Sequence, residues 1–482
     1  MPWPIPDLQL EPVPPGFRPR DMVILLLLAL LSGVLFALLH MYIKPGSKPA
    51  EALGLGASIG GLLLYAGFSM LAVVVELPRF RSAQWNLLRI QRLRQDQRWT
   101  HSPLALIASH ALLPEPDAAA RMAGLETPPL EAATARQILF ADETLAAGPF
   151  RFERICKELL LPLAPQLRRL GSAPLGLEIV VWLQCTTPWG EQQQRLFDAC
   201  WQEASLPRYA ALQQVPADAG PDWQEQLRKS DSHAHLLLAL QYHANEQDSG
   251  PEAAVALLLT TGWRAKHSQL PVCNRLYRPC SLRQQHSADD FRRWATRGQQ
   301  PRNLVGQLWL CGLDKTQQHG VKTLARDHAL PLRQNPPSLG VLDLQVALGI
   351  KGPLLPWLAL ALASELVACQ QGSQAIASHH QGKVWLQMTG MAPAQWQPFG
   401  SLADVPAVPL LCLVLAVWLL AMLLALLPES LPPDPDNYLL YWLAGLLALL
   451  AFGAPFLYAY LCRERWRYQF AQEVYACTPA KE

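Results

Sequence analysis

Charge is scarce in this chain. Only 16% of its 482 residues are Asp, Glu, Lys or Arg, against roughly 25% in soluble domains. Forty basic and 38 acidic residues leave a net charge of +2, which excludes a global basic field for nucleic acid and an acidic solvating tail. Low-complexity stretches and sequence repeats are missing, so collagen, solenoid and fully disordered readings fall away. No two of the ten cysteines stand in a CxxC pair. No loop reads as a phosphate cradle, a zinc-protease helix or a serine nucleophile elbow, which removes support for hydrolytic and nucleotide-driven chemistry.

What is present is apolar sequence, 51% of the chain. A membrane-spanning helix needs about 20 apolar residues, because the backbone must satisfy its own hydrogen bonds across roughly 30 Å of hydrocarbon. Four runs meet this: Met22 to Ile43, Ala52 to Val75, Val405 to Leu427 and Tyr438 to Cys462. The first follows a proline-rich leader and exceeds the roughly 7–15 residues of a signal peptide's apolar region, so it is expected to remain. None of the runs contains Asp, Glu, Lys or Arg, and His40 lies at an end, which argues against an ion or proton path. Gly56 and Gly60 in GxxxG spacing, with Gly61 and Gly67 nearby, would admit a second helix at close range, within the anchor or in an oligomer.

Basic residues near span ends resist translocation. Arg79, Arg81, Arg89, Arg92, Arg94 and Arg98 follow the second run, and Arg463, Arg465 and Arg467 follow the fourth. The turn between runs three and four has only Glu429, Asp434 and Asp436. Lys44 and Lys48 between runs one and two are outweighed. The reading is an inner-membrane, multi-pass protein with both termini and the central body in the cytoplasm. Its divisions are a Pro-rich segment 1–21, a hairpin 22–76, a basic juxtamembrane helix 77–100, a body 101–403, a second hairpin 404–462 and a basic tail 463–482. The 77–100 stretch, with Trp85, Leu88 and Leu93, reads as a stop-transfer flank or as an interfacial helix on anionic lipid.

Within the body, 101–148 reads as loops and short helices. Phe150 to Leu170 is an amphipathic helix, LEIVVWLQC a buried strand, and the segment through Leu196, Phe197 and Trp201 a helix. HAHLLLALQYH and AAVALLLTTG are strands placed to pair directly. A helix over Ala288 to Thr296, a strand in NLVGQLWLCGL, a helix over Lys315 to His328 and a closing strand GKVWLQMTG follow. Leu354 to Ala368, with only Glu365 charged, is a buried core helix, too short for a fifth span.

This order resembles the thiolase-like fold of β-ketoacyl synthases over about residues 150–390. SGPEAAVALLLTTG resembles their small-residue turn and apolar strand, LGVLDLQVALGIKGPLLPWLALALASELVACQQG their glycine turn and buried helix, and GKVWLQMTG their closing strand. The resemblance implies an α/β body and, in active members, a cysteine nucleophile assisted by two histidines, or by a histidine and an asparagine. Here no histidine follows Gly349 in LGIKG. In CGLDKTQQHG, Cys311 and Asp314 stand where the other histidine motif falls, and His319 lies late. The body is also similar to thiolase-like accessory proteins of type VI secretion effectors, including the lipase-adapter family, which implies a degenerate shell that presents a surface to an effector or a spike component.

No catalytic residue, cofactor or metal is therefore assigned. Cys185, between a strand and a helix, is the candidate nucleophile if the chain is an acyl-transfer enzyme, since a helix N-terminus lowers a thiol's pKa. His233, His235 or His319 would have to supply its base; alternation puts His233, His235 and His243 on one face of a strand, a pattern more common at a strand edge than in a catalytic set. Cys273 and Cys280, flanked by His267 and His286, match no standard zinc spacing. A third alternative is a membrane immunity or sensor protein whose anchor binds the partner. Membrane lipid is the other expected partner.

Overall fold

The computed structural model describes residues 11–15, 19–46, 77–130, 138–140, 149–171, 178–187, 189–216, 219–229, 233–243, 250–296, 298–333, 339–394 and 460–472, with scattered positions over 48–64. These fall into two compact units, residues 97–397, and residues 1–96 with 398–482.

In the second unit, α1 (Pro19–Ile43) contains the span Val23–Ile43, which alone among the described residues is long and apolar enough to cross a membrane. Most of the run Ala52 to Val75, and all of Val405 to Leu427, lie outside the described residues, as does Tyr438 to Cys462 up to residue 459. Four-span bracketing is therefore not established. The described part of the second run does pack on α1 through small residues. A Cβ on Gly33 would stand 2.7 Å from the Gly56 carbonyl oxygen, and one on Gly60 2.7 Å from that of Ala29. Glycines thus let two backbones touch, as the GxxxG spacing implied. Beyond these, α2 (Leu77–His101) pairs with a helix over 460–472.

The 97–397 unit is built from β1 (Leu104–Leu112), α3 (Ala118–Met122), α4 (Pro149–Gly171), β2 (Glu178–Cys185), α5 (Glu191–Glu203), β3 (Tyr209–Gln214), α6 (Gln224–Lys229), β4 (His233–Gln241), β5 (Ala253–Thr261) and α7 (Gly262–His267). There follow β6 (Asn274–Leu276), β7 (Cys280–Leu282), α8 (Ser287–Thr296), β8 (Val305–Cys311), α9 (Lys315–Asp327), β9 (Val341–Asp343), α10 (Leu344–Leu348), α11 (Leu355–Ala368), β10 (Ser373–His380) and β11 (Lys383–Thr389). The expected α/β layering is present.

The strands form a mixed sheet in the order β3-β2-β4-β5-β1-β6-β11-β10-β8-β9, with β7 beside β11. Its two halves have one topology. In the first, β2 is parallel to β3 and β4, β4 antiparallel to β5, and β5 antiparallel to β1. In the second, β8 is parallel to β9 and β10, β10 antiparallel to β11, and β11 antiparallel to β6. The antiparallel pair β1 and β6 joins them. The body is a duplicated α/β unit, although no repeat is visible in the sequence.

Alternation along the strands explains the continuous apolar runs. Ala234, Leu236, Leu238 and Leu240 of β4 pack in an outer core with α4 and α5, whereas Leu237 and Ala239 face an inner core built on α11. β5 divides likewise, with Val255, Leu257 and Leu259 inward and Ala254, Ala256 and Leu258 outward. Both faces of these strands are covered, so apolar residues are favourable at every position. Each fully buried Leu or Val contributes roughly 1.5–3 kcal/mol. Helix α11 lies against β1 and β5 of one half and β8 and β10 of the other. At 14 residues it is about 21 Å long, too short to span a bilayer, and it is almost wholly buried, as expected.

Two readings are corrected. Residues 101–148 are not only loops and short helices, because β1 occupies the centre of the sheet, where Leu104 and Leu106 face inward and Ala105 and Ile107 outward. The closing strand has a partner the sequence reading missed, β10, whose Ala375 and Ala377 are fully buried.

Candidate functional site

A cavity of about 400 Å³ opens in the 97–397 unit. Its wall comes from the loop before α6 (Ala219, Gly220, Pro221), from Gln224, from the end of β8 (Cys311, Gly312), from the approach to α11 (Gly352, Pro353) and its first turn (Trp357), and from the β10–β11 hairpin (His379, His380). It therefore lies at the carboxyl end of β8 and beside the N-termini of two helices, where α/β sheets characteristically bind ligands. The two halves contribute corresponding Gly-Pro pairs, 220–221 and 352–353, each just ahead of its helix.

Local chemistry shapes this wall. A Cβ on Gly220 would overlap the His380 imidazole, so a larger residue here would displace that side chain from the wall. The hairpin turns at Gln381 and Gly382, both at positive φ, the conformation that tight antiparallel turns require. The Gln224 amide donates to Gln387 Oε1 at 3.1 Å, and Gln387 returns a bond at 2.7 Å. Trp357 donates from Nε1 to Gln184 Oε1 at 2.7 Å and stands edge-on to Trp223, which is edge-on to Trp182. Gln184 and Trp182, alternate residues on the inner face of β2, thus anchor the cavity's aromatic wall.

Cys311 is the one nucleophilic side chain in this wall. It is 2% exposed and packs in the inner core with Trp309. Burial, then the Asp343 carboxylate, holds its thiol far above the ordinary range, so it is protonated at neutral pH. It does not have the low-pKa setting of a catalytic thiol.

The residues singled out in the sequence are not brought together. Cys185 ends β2, six positions before the first residue of α5, and packs on the outer core, on the sheet face opposite Gln184. Alternation decides this: Trp182 and Gln184 face the inner layer, so Cys185 cannot. Its sulfur lies 2.9 Å from Thr187 Oγ1, which donates to the Tyr242 hydroxyl at 3.0 Å. Burial raises its pKa, the reverse of the expected lowering, and pushes Tyr242 up to about 12. In the β2–β4 register Cys185 is opposite Leu240 and Val180 opposite His235, so about 16 Å of strand separates Cys185 from His235. His243 is held instead by Glu252 and the Gly250 carbonyl oxygen, and His319 is exposed on α9. Asp314 is the N-cap of α9, accepting from the Gln317 N–H at 2.8 Å. The Cys273 thiol points at the Leu106 carbonyl oxygen, 3.1 Å away. Among the described residues no group of three or more His, Cys, Asp or Glu could hold a metal ion.

His235 is 2% exposed, accepts from Trp182 Nε1 at 3.1 Å on Nδ1, and lies beside His233. Burial, then that second histidine, lowers its pKa to about 4. The unfolded chain protonates it near the reference value of about 6.5. Between these values only the unfolded state takes the proton, so stability is complete above pH 6.5 and falls on acidification to pH 4, by roughly 1.4 kcal/mol per pH unit. Urea titrations at pH 7.5 and 5 should show this loss, and His235→Gln should remove most of it.

No family model and no curated protein matches the chain. Solved structures similar to it include a chain of a type II polyketide synthase complex of acyl-carrier protein and ketosynthase, at 11% identity and TM-score 0.41, covering 60% of this chain and 99% of that one. Another is a ketosynthase domain of oxazolomycin biosynthesis from Streptomyces albus, at 11% identity and TM-score 0.40, covering 62% and 99%. OleA of Xanthomonas campestris is a third, at 10% identity and TM-score 0.34, covering 60% and 97%. At such values the likeness carries no chemistry across.

The sequence reading missed Gly220, Gln224, Trp357, His379 and His380. No local signal marked them: Gly-Pro occurs four times, at 148–149, 220–221, 250–251 and 352–353, and only two of these pairs line the cavity.

Proposed function

We propose that the chain is a membrane-tethered accessory protein whose duplicated, thiolase-like α/β unit holds a protein partner at this cavity and performs no covalent step there. The observation that carries the reading is the state of Cys311, sealed in the inner core with its thiol protonated. A volume of about 400 Å³ accommodates a short peptide segment, and the wall offers it the imidazoles of His379 and His380. The resemblance noted in the sequence makes the partner an effector or spike component of a type VI secretion system. In the same proposal four spans anchor the chain in the inner membrane, with both termini and the α/β unit cytoplasmic, and α1 supports one of those spans.

Acyl transfer is the second reading, favoured by the meeting of Cys311, His379 and His380 in one wall. Affinity capture of the tagged full chain from native membranes separates the two. The accessory reading expects a secretion-system protein that survives Cys185→Ala and Cys311→Ala but falls at least ten-fold with Pro353→Trp, which fills the cavity from an exposed position. A hydroxylamine-labile acyl adduct on the wild-type chain that vanishes with Cys311→Ala would replace it with acyl transfer.

A further inference from the structure

Behind the cavity wall lie two buried hydrogen-bond donors that the α/β unit does not satisfy. Trp357 belongs to the wall, and its Nε1 donates to Gln184 Oε1 at 2.7 Å. That bond fixes which end of the Gln184 amide is oxygen, because the amide turned over would set two donors against each other. Gln184 Nε2 has no hydrogen-bond partner among the described residues, and neither has Trp223 Nε1. Both residues are only 5% exposed.

The two donors share their surroundings. Trp223 is edge-on to Trp357 with ring centres 6.0 Å apart, and edge-on to Trp182 at 4.8 Å. Gln184 binds Trp357 and shares a face of β2 with Trp182. Trp223 directly precedes Gln224, another wall residue. Both donors thus stand one side chain behind the cavity, against the same two indoles. An indole N–H and an amide NH2 can only donate, and buried donors in folded proteins are nearly always paired, so this pair calls for an acceptor. A carbonyl oxygen has two lone pairs and can accept from both. A carboxylate fits less well, because two neutral N–H groups among aromatic rings do not offset the desolvation of a charge.

We propose that Gln184 Nε2 and Trp223 Nε1 form a subsite for one neutral carbonyl oxygen of the partner, from a peptide bond or from an Asn or Gln side chain. This subsite rests on the accessory reading, in which the cavity holds a peptide segment, and adds the chemical group that is recognised there.

The test uses the full chain in detergent, with heavy nitrogen in the tryptophan indoles, and the Trp223 N–H resonance is the one that Trp223→Phe removes. The probes are N-acetylglutamine methylamide and N-acetylnorleucine methylamide. Both carry peptide carbonyls, and only the first carries a side-chain carbonyl. A downfield shift of the Trp223 resonance with the glutamine compound alone marks a side-chain carbonyl, and a shift with both marks a peptide carbonyl. Trp223→Phe keeps an aromatic ring and should weaken probe binding, read by calorimetry, about five-fold, the worth of one neutral hydrogen bond. No shift with either probe, equal affinity of the wild-type chain and Trp223→Phe, or tighter binding of N-acetylglutamate methylamide would each overturn the subsite. Failure of the accessory reading shows separately, as partner capture that ignores Pro353→Trp.

Discussion

Glu252→Ala should destabilise the α/β unit by about 3–5 kcal/mol, the cost of breaking a buried ion pair from one side. Glu252 is fully buried at the start of β5. Its carboxylate binds Arg151 Nε at 2.9 Å and accepts from the backbone N–H groups of Leu139 and His243 at 2.9 and 2.8 Å. Arg151 also donates to the Leu139 carbonyl oxygen at 2.7 Å. One carboxylate thus ties α4, the 138–140 segment and the end of β4 to β5. Removing it takes the Glu252 carboxylate away from a guanidinium 8% exposed and orphans two backbone donors. Near-ultraviolet circular dichroism of the full chain in detergent, followed through a urea titration, measures the effect. A loss below 1 kcal/mol would mean that water or another acid replaces Glu252.

Trp309→Ala should cost a similar 3–5 kcal/mol by a different route, the loss of a large side chain from a close-packed core. Trp309 is fully buried on the inner face of β8, and its Nε1 donates to Gln374 Oε1 at 3.0 Å. Alanine opens a void in the inner core and strands Gln374 Oε1, which adds a desolvation cost of about 1–3 kcal/mol. Trp309→Phe keeps most of the volume and removes only the hydrogen bond, so it should lie well below Trp309→Ala. Equal losses in the two variants would show that the hydrogen bond dominates the packing.

Both predictions depend on side chains whose partners are remote in sequence, and the same division runs through the whole chain. Long apolar strands were legible because burial on two faces demands apolar residues at every position, and α5 and α9 because their spacing and flanking turns are local. Strand β10 was not: SQAIASHH has the composition of a loop, yet its alanines and serines let it lie between β8 and β11 with α11 against it. Strand β1 escaped notice within a segment dominated by turn residues. The Cys185 reading failed on a single position of register, since one step along a strand moves a side chain to the other face.

From the sequence alone came the apolar run of α1, the basic flanks, the α/β class and the core helix α11. Composition and short-range periodicity determine such features, because the bilayer and the hydrophobic core act on every residue in a segment alike. Only the tertiary structure decided that the body is a duplicated unit, that Cys185 and its candidate histidines lie apart, and that Cys311, Gly220 and His380 share one wall. Those facts arise from strand order and from which face each residue occupies, and both are set by packing between segments that local sequence does not encode.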